Sequence, residues 1–318
     1  MGSLLVAMLL AAPTSTPADA LDATGTDSGG AAQRHGLDDV SRMAKKSLTR
    51  IRNEISDYSA LLIKRERIEG KLGDTVYAYI KIRERNVQDG EVVVPLSIYS
   101  KILKPRDRRG EEMLWVEGRD DGKVRMRRAP RAGIYCGPRS LLLKPETWAR
   151  FFSKYPIQEL GLESIVRRMV AIAEDERRRD KCNVNFYKGA TINDRVCTMV
   201  EIVHPVKREH FGFHIMRIYI DDELGIPIRQ AAWDWPEVEG GKPELLEEYT
   251  YLRVKINQNF TDRDFDADNP KYGFFVDSSP SQTHVQETPA YRAPIEASSS
   301  RTNVHGRRLP RCRLFRRR

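Results

Sequence analysis

The chain has 318 residues, 40% hydrophobic and 31% charged, enough for one large domain or two small ones. A mean hydropathy of −0.56 describes a soluble protein. The net charge of +9 suggests nucleic acid, but eight arginines between Ser298 and Arg318, with no acid among them, account for all but one of those charges. The body before them is almost neutral, so nucleic-acid binding is not expected of the folded domain.

The N-terminus opens with an apolar run over residues 3–12, the length of a secretion-signal core and too short to cross a bilayer. Pro13 and Pro17 follow it, and Ala18-Asp19-Ala20 places small residues where a signal peptidase reads, so cleavage is expected after Ala20. No Lys or Arg precedes the run, which a start codon placed too far downstream explains; a frayed, Ala-rich terminus is the alternative. Residues 21–36 are rich in Thr, Ser, Gly, Ala and Asp and form an expected flexible linker. A helix follows, capped by Asp38 or Asp39, with Ala44, Leu48, Ile51, Ile55 and Tyr58 spaced four and three apart.

From about Leu61 the apolar period changes to two. Val76, Ala78, Ile80 and Ile82 alternate with Tyr77, Tyr79, Lys81 and Arg83, and residues 92–103 repeat the pattern. Residues 113–117 and 123–128 predict two further strands, joined through Asp121-Gly122 by a tight hairpin turn. Pro145 opens a short helix containing Trp148, Phe151 and Phe152, and Leu162, Ile165, Val166, Met169, Val170 and Ala173 mark a longer one over 159–177. Strands resume over 184–188, 196–203, 213–220, 226–233 and 248–257. About ten strands exceed what a flat open sheet holds comfortably. The expected fold is therefore α+β: a strongly curved antiparallel sheet, a half-open barrel, with an N-terminal helix and a mid-chain helical insertion. A single domain is expected over 37–274, with a disordered Ser/Pro/Thr-rich and then Arg-rich tail over 275–318.

Four cysteines (136, 182, 197 and 312) show no metal spacing. Cys182 and Cys197 are the candidate disulfide of an exported protein. A turn centred on Gly189-Ala190 places them opposite one another, whereas a turn at Asn193-Asp194 does not. His204, Glu209, His210 and His214 invite a metal site, but on one strand His210 and His214 stand about 13 Å apart, too far for one tetrahedral ion. Asp262, Asp264, Asp266 and Asp268 resemble the start of a calcium loop, yet Asn269 replaces its glycine and Phe275 its closing glutamate. Cys136 lies in a Tyr-Cys-Gly-Pro turn without a His or Asn partner, and no catalytic or cofactor motif is present. No enzyme activity, cofactor or metal is expected. Trp115, Trp148, Phe151, Phe152, Trp233 and Trp235 are the aromatics expected to shape the interior, as packed core or as the wall of a ligand cavity.

Several strings occur in a fixed order: Lys64-Arg65-Glu66-Arg67-Ile68-Glu69-Gly70, Pro95-Leu96-Ser97-Ile98-Tyr99, Val116-Glu117-Gly118-Arg119, Tyr219-Ile220-Asp221 ahead of Ile226-Pro227, Glu248-Tyr249-Thr250-Tyr251, Ile256-Asn257, and Asp264 through Tyr272. In these the segment from Asp57 to Phe274 resembles domain of unknown function 1571, a family of secreted bacterial proteins. The family is similar in layout to the LolA-like lipoprotein carriers, in which an unclosed antiparallel barrel holds acyl chains. The resemblance implies a non-enzymatic protein of the periplasm or cell envelope with a lipid or lipoprotein ligand, and assigns no catalytic residue. A structural or protein-interaction module with a fully packed core is the alternative. The arginine tail offers contact with an anionic surface.

Overall fold

A computed structural model describes residues 36–129, 140–179 and 182–274. The expected signal segment with Ala18 and Ala20, linker residues 21–35, Cys136, and the tail with Cys312 lie outside the described residues.

Helix α1 (Gly36–Glu54) buries Leu37, Val40, Ala44, Ser47 and Ile51 at spacings of three and four. The apolar stripe continues through Ile55 and Tyr58, both buried, but the helix stops before them. A distant residue ends it: the Asn257 side chain donates to the Glu54 carbonyl (2.8 Å) and accepts from the Ser56 amide (2.9 Å). Tyr58 instead begins β1 (Asp57–Ile68), whose alternate residues Tyr58, Ala60, Leu62, Lys64 and Glu66 are all buried. Two of these five are charged.

β2 (Lys71–Leu72) is a short return, and β3 (Val76–Arg83) occupies the predicted span. The single strand expected over 92–103 is two strands. β4 (Asn86–Gln88) and β5 (Glu91–Val94) form a separate ribbon, and Pro95, which has no amide to donate, precedes β6 (Ser97–Lys104) in the main sheet. β7 (Glu112–Val116) and β8 (Val124–Arg127) form the expected hairpin. Its connection is wider than a two-residue turn, with Asp120, Asp121 and Gly122 all at positive φ. β9 (Ser140–Leu143) was not legible from the sequence. α2 (Pro145–Phe152) has its proline in the first turn, and α3 (Leu162–Arg179) follows a 3-10 turn at Ile157–Glu159.

β10 (Asn183–Ile192), β11 (Arg195–Val203), β12 (Ile215–Asp221), β13 (Pro227–Asp234) and β14 (Glu244–Ile256) complete the chain. Twelve strands form one antiparallel sheet in the order β10-β11-β12-β13-β14-β1-β3-β6-β7-β8-β9, with β2 beside β1. Two meanders are thus joined at a central seam where β14 pairs with β1. The fold is α+β, and among the described residues the sheet is open, with β10 and β9 at its two ends. Residues of α1, α2 and α3 share one core with the inner face of the sheet. A segment after β14 covers part of the outer face: Phe265 packs with Tyr99, Leu114 and Val116, and Tyr272 stacks on Tyr99 at 4.0 Å.

The Cys182–Cys197 disulfide is not formed. The β10–β11 hairpin turns at Asn193-Asp194, with Asn193 in the left-handed conformation that Asn tolerates. Gly189, also at positive φ, lies within β10 at a register shift between Tyr187 and Ala190. Ala190 therefore faces Cys197, while Cys182 lies beyond the Asn183–Val203 pair at the far end. The separation along the strand is about 25 Å at about 3.3 Å per residue. Both thiols are free and buried.

Candidate functional site

The inner face of the sheet carries two features next to one another. The first is a pocket of about 40 Å³ bounded by β1, β3, β6, β7 and β8, by the β6–β7 loop and by α2. Leu62, Val76, Ala78, Ile102, Met113 and Met126 form its floor, and Trp148, Phe152 and Leu160 face them. Period-two alternation produces the floor, since these residues occupy one phase of their strands. The amphipathic turn of α2 brings Trp148 and Phe152, four residues apart, onto one side. Charge is present only in pairs. Lys64 contacts Glu66 at 2.7 Å, Arg108 contacts Glu111 at 2.8 Å, and Glu112 lies 3.2 Å from Lys101 and 3.4 Å from Arg127. The Arg108 guanidinium also sits 5.7 Å from the centre of the Phe152 ring.

The second feature is a buried polar network on the seam. Glu66 and Glu247 are directly opposed across β1 and β14, an arrangement that repels unless it is compensated. Compensation is extensive. Glu66 accepts from Lys64, from the Ser153 hydroxyl (2.9 Å), from the Lys154 amide (3.1 Å) and from the Tyr249 hydroxyl. Glu247 accepts from Tyr155 through both oxygens (2.9 and 2.8 Å) and from Gln230 (2.8 Å), and pairs with the Lys154 ammonium at 2.7 Å. Burial by itself pushes the Glu66 carboxyl upward. The Lys64 ammonium and the donors around it outweigh burial and hold it below the usual carboxylate range. Tyr249 and Tyr155 move the other way, through burial first and the neighbouring carboxylates second, so both phenols keep their protons and donate. A smaller cleft beside the network is lined by Ser153, Tyr155, Arg168, Tyr249 and Tyr251.

Among the aromatics singled out from the sequence, Trp148 and Phe152 line the pocket. Trp115 is buried and donates to the Gly122 carbonyl at 3.1 Å, while Trp233 and Trp235 are half-buried on or just after β13. The side chain of Phe151 lies outside the described residues. The histidines do not converge. His204 is buried with Nε2 2.9 Å from Glu176 of α3 and Nδ1 3.0 Å from the Phe213 carbonyl, and His214 reaches the His204 carbonyl through Nδ1 at 2.9 Å. His210 rests against Phe211. The aspartates disperse as well: Asp262 pairs with Arg83 and Asp264 with Lys81, each at 2.8 Å, and Asp266 accepts from the Asp268 amide. Among the described residues no group of three His, Cys, Asp or Glu stands close enough to hold a metal ion.

Sequence reasoning quoted Lys64 and Glu66 only as part of a resemblance string, with no role, and did not single out Glu247 or Tyr155. The available signal was phase: Lys64 and Glu66 fall on the same alternation as Ala60 and Leu62, and Glu247 on that of Tyr249 and Tyr251. Charge on the apolar phase of a strand marks a buried, partnered group.

A comparison with curated proteins finds no match. Solved structures align over most of the chain at low identity. A DUF1329 family protein from Desulfovibrio piger is 10% identical over 73% of this chain and 98% of its own, with a TM-score of 0.36. A LolA superfamily protein from Nitrosomonas europaea is 10% identical over 71% and 97%, at 0.31. Pseudomonas aeruginosa MucB, in its complex with MucA, is 11% identical over 72% of this chain and only 60% of its own, at 0.38. Similarities at this level carry nothing about ligand or partner. The model of one protein family matches residues 55–274, a span that includes the whole of the sheet, the pocket and the seam network, and the chain belongs to that family, the proteins of unknown function DUF1571.

Proposed function

We propose that the chain is an exported, non-enzymatic binding protein of the bacterial periplasm or cell envelope, which holds an acyl chain or other apolar ligand against the inner face of its sheet. The observation that carries this is the small pocket between the sheet and α2, apolar on its floor and roof and about 40 Å³ in volume. That volume is well below the roughly 300 Å³ at which small-molecule sites begin, so an acyl chain must widen the space between α2 and the sheet as it enters. Its charged groups are already paired with one another, so an apolar chain enters without stripping solvent from a lone charge. Binding rather than catalysis is favoured by the seam network, where four donors on Glu66 and four contacts on Glu247 leave neither carboxylate free to act as a base. Export rests on the apolar run at 3–12 and the small residues Ala18 and Ala20. The eight terminal arginines would add attraction to an anionic surface.

Uptake of a fluorescent fatty acid tests the proposal. Ala78 is buried on the pocket floor, so Ala78→Phe fills the space. The expected result is saturable uptake by the wild-type protein and at least a tenfold loss in the variant, with the circular dichroism spectrum unchanged. Equal uptake by both places the probe elsewhere and defeats the proposal.

A second reading is an envelope interaction module. It is favoured by the β4–β5 ribbon, which stands apart from the main sheet and exposes Val87, Val92 and Val93. Under that reading Val92→Lys with Val93→Lys abolishes capture of a partner, and neither form takes up fatty acid.

A further inference from the structure

The segment after β14 covers the outer face of the sheet at Tyr99, Leu114 and Val116. Beside that cover, two rows of cross-strand neighbours run over the seam from β14 to β6. One is Leu252, Leu61, Tyr79 and Lys101, and the next is Thr250, Ile63, Tyr77 and Lys104. Neighbours of this kind stand about 5 Å apart on one face, so the apolar and aromatic side chains of the two rows form one continuous patch. Tyr79 is exposed, and Leu61, Ile63, Tyr77 and Leu252 are half-buried. Leu61, Ile63, Tyr77 and Tyr79 belong to neither of the two hydrophobic clusters.

Cations border the patch. Arg65 follows Ile63 on the same phase of β1, Lys101 and Lys104 close the β6 side, and Lys255 lies opposite Ser59 beyond Leu61. The nearby carboxylates are engaged already: Glu248 pairs with Arg229 at 2.6 Å, and Glu112, 1% exposed, is shared by Lys101 and Arg127. Arg65 meets a neutral partner, the Gly73 carbonyl at 3.0 Å, and Lys104 lies 5.0 Å from the centre of the Tyr77 ring. A chain that is almost neutral before residue 298 thus gathers positive charge around an exposed apolar patch.

We propose that this outer face docks the protein on the surface of an anionic phospholipid bilayer, with the inner face and its pocket turned away from the lipid. Charge complementarity selects the occupant. Tyrosine rings are at home at the headgroup level, and Lys and Arg lay their stems along apolar surface while their heads meet lipid phosphates. A second copy of the chain, or its own arginine-rich end, would bring like charge to the same rim. The path of the chain is a separate argument. The Gly273 amide donates to Glu112 at 2.7 Å, Glu112 neighbours Lys101, and Lys101 neighbours Tyr79. Residues 275–318, with their eight terminal arginines, therefore start from the margin of the patch. Two modest attractions to one lipid surface, joined covalently, hold far better than either alone. The docking face lies across the sheet from the pocket, so the proposal is independent of what the pocket binds.

The test is co-sedimentation of the full chain with vesicles of phosphatidylcholine alone and of equal parts phosphatidylcholine and phosphatidylglycerol. Wild-type protein should bind the anionic vesicles, weaken as salt rises, and leave the neutral ones. Lys104→Glu/Lys255→Glu reverses two exposed side chains of the rim and should bind at least about tenfold less. Lys46→Glu/Lys207→Glu makes the same change in net charge at exposed positions on α1 and the β11–β12 loop, and should cost less than about threefold. Tyr79→Ser removes apolar contact without touching charge and should weaken binding about threefold, with the circular dichroism spectrum unchanged. Equal losses in the two charge-reversal pairs would assign the attraction to net charge or to the arginine tail and overturn the docking face. Wild-type protein that ignores anionic vesicles overturns it as well. Binding of soluble polyglutamate in preference to vesicles, lost in Lys104→Glu/Lys255→Glu, would make the occupant an acidic polypeptide and defeat the membrane assignment.

Discussion

Lys64 and Glu66 lie two residues apart on the buried phase of β1, and their side chains are only 10% and 5% exposed. Removing one member of such a pair leaves the other charge stranded, which costs about 3–5 kcal/mol. Lys64→Met is therefore expected to lower unfolding stability by about 3 kcal/mol in urea melts at neutral pH, and adding Glu66→Gln should recover a substantial part of that loss. Glu66, held below the usual range, contributes stability that is present above the unfolded pKa and lost as pH falls through the folded one. Glu84 has the opposite sign. Burial first and Glu163 second, against Arg167, push its carboxyl from 4.5 up to about 8. The folded state therefore keeps a proton that the unfolded chain has lost, and the resulting stability is full below about 4.5 and disappears as pH rises through about 8. The urea midpoint of the wild-type protein should fall between pH 5 and pH 9, and Glu84→Gln should flatten that fall. An unchanged slope in the variant rules out Glu84 as its source. No motif marked any of these residues as buried, although Lys64 and Glu66 fall in a resemblance string, because a buried acid is defined by what surrounds it. Glu66 meets Ser153, Lys154 and Tyr249 only after the chain has folded across sequence separations of 87, 88 and 183.

The elements that were legible are those whose pattern is local. β3 carries a strict alternation and α3 an uninterrupted 3.6-residue stripe, and both fall where periodicity places them. Misplaced boundaries trace to contacts distant in sequence. α1 ends at Glu54 because Asn257 caps it, while the apolar stripe continues into β1. The β10–β11 hairpin contained two turn signals, and only one becomes the turn, so its cysteines remain apart. Alkylation of denatured, unreduced protein should accordingly label both Cys182 and Cys197, and protection of the pair would contradict the register. Their thiols are pushed up by burial, to about 11 and about 12, so labelling of the native protein should be slow. The segment after β14 is the other element fixed by tertiary contacts. Asp57 accepts from the amides of Gln258 (2.5 Å) and Phe260 (3.0 Å), and Lys81 joins Asp264 to Tyr272 at 2.8 and 3.2 Å. Tyr272→Ala removes the stack on Tyr99 as well as this bond. A loss of about 2–4 kcal/mol is expected, the ordinary cost of truncating a packed aromatic side chain, measured by thermal or urea unfolding.

For the whole molecule, the sequence carried the fold class but not the seam. Alternating strands and three helices imply a large antiparallel sheet with one buried face. Nothing in the spacing says that the last strand, β14, pairs with the first, β1, to join the two meanders. That closure places Glu247 against Glu66 and sets the network beside the pocket. It also brings the segments around Lys64–Glu66 and Glu248–Tyr251, far apart in sequence, into register across the same seam. One inner face thus holds a small apolar space beside a buried polar network, the arrangement on which the proposed binding role rests. The most direct measurement of the central claim is native mass spectrometry of protein purified from the envelope of its own host, before and after organic extraction. A bound apolar adduct, removed by extraction and missing from Ala78→Phe, is the predicted result. Bare polypeptide, together with no uptake of fluorescent fatty acid, would contradict it.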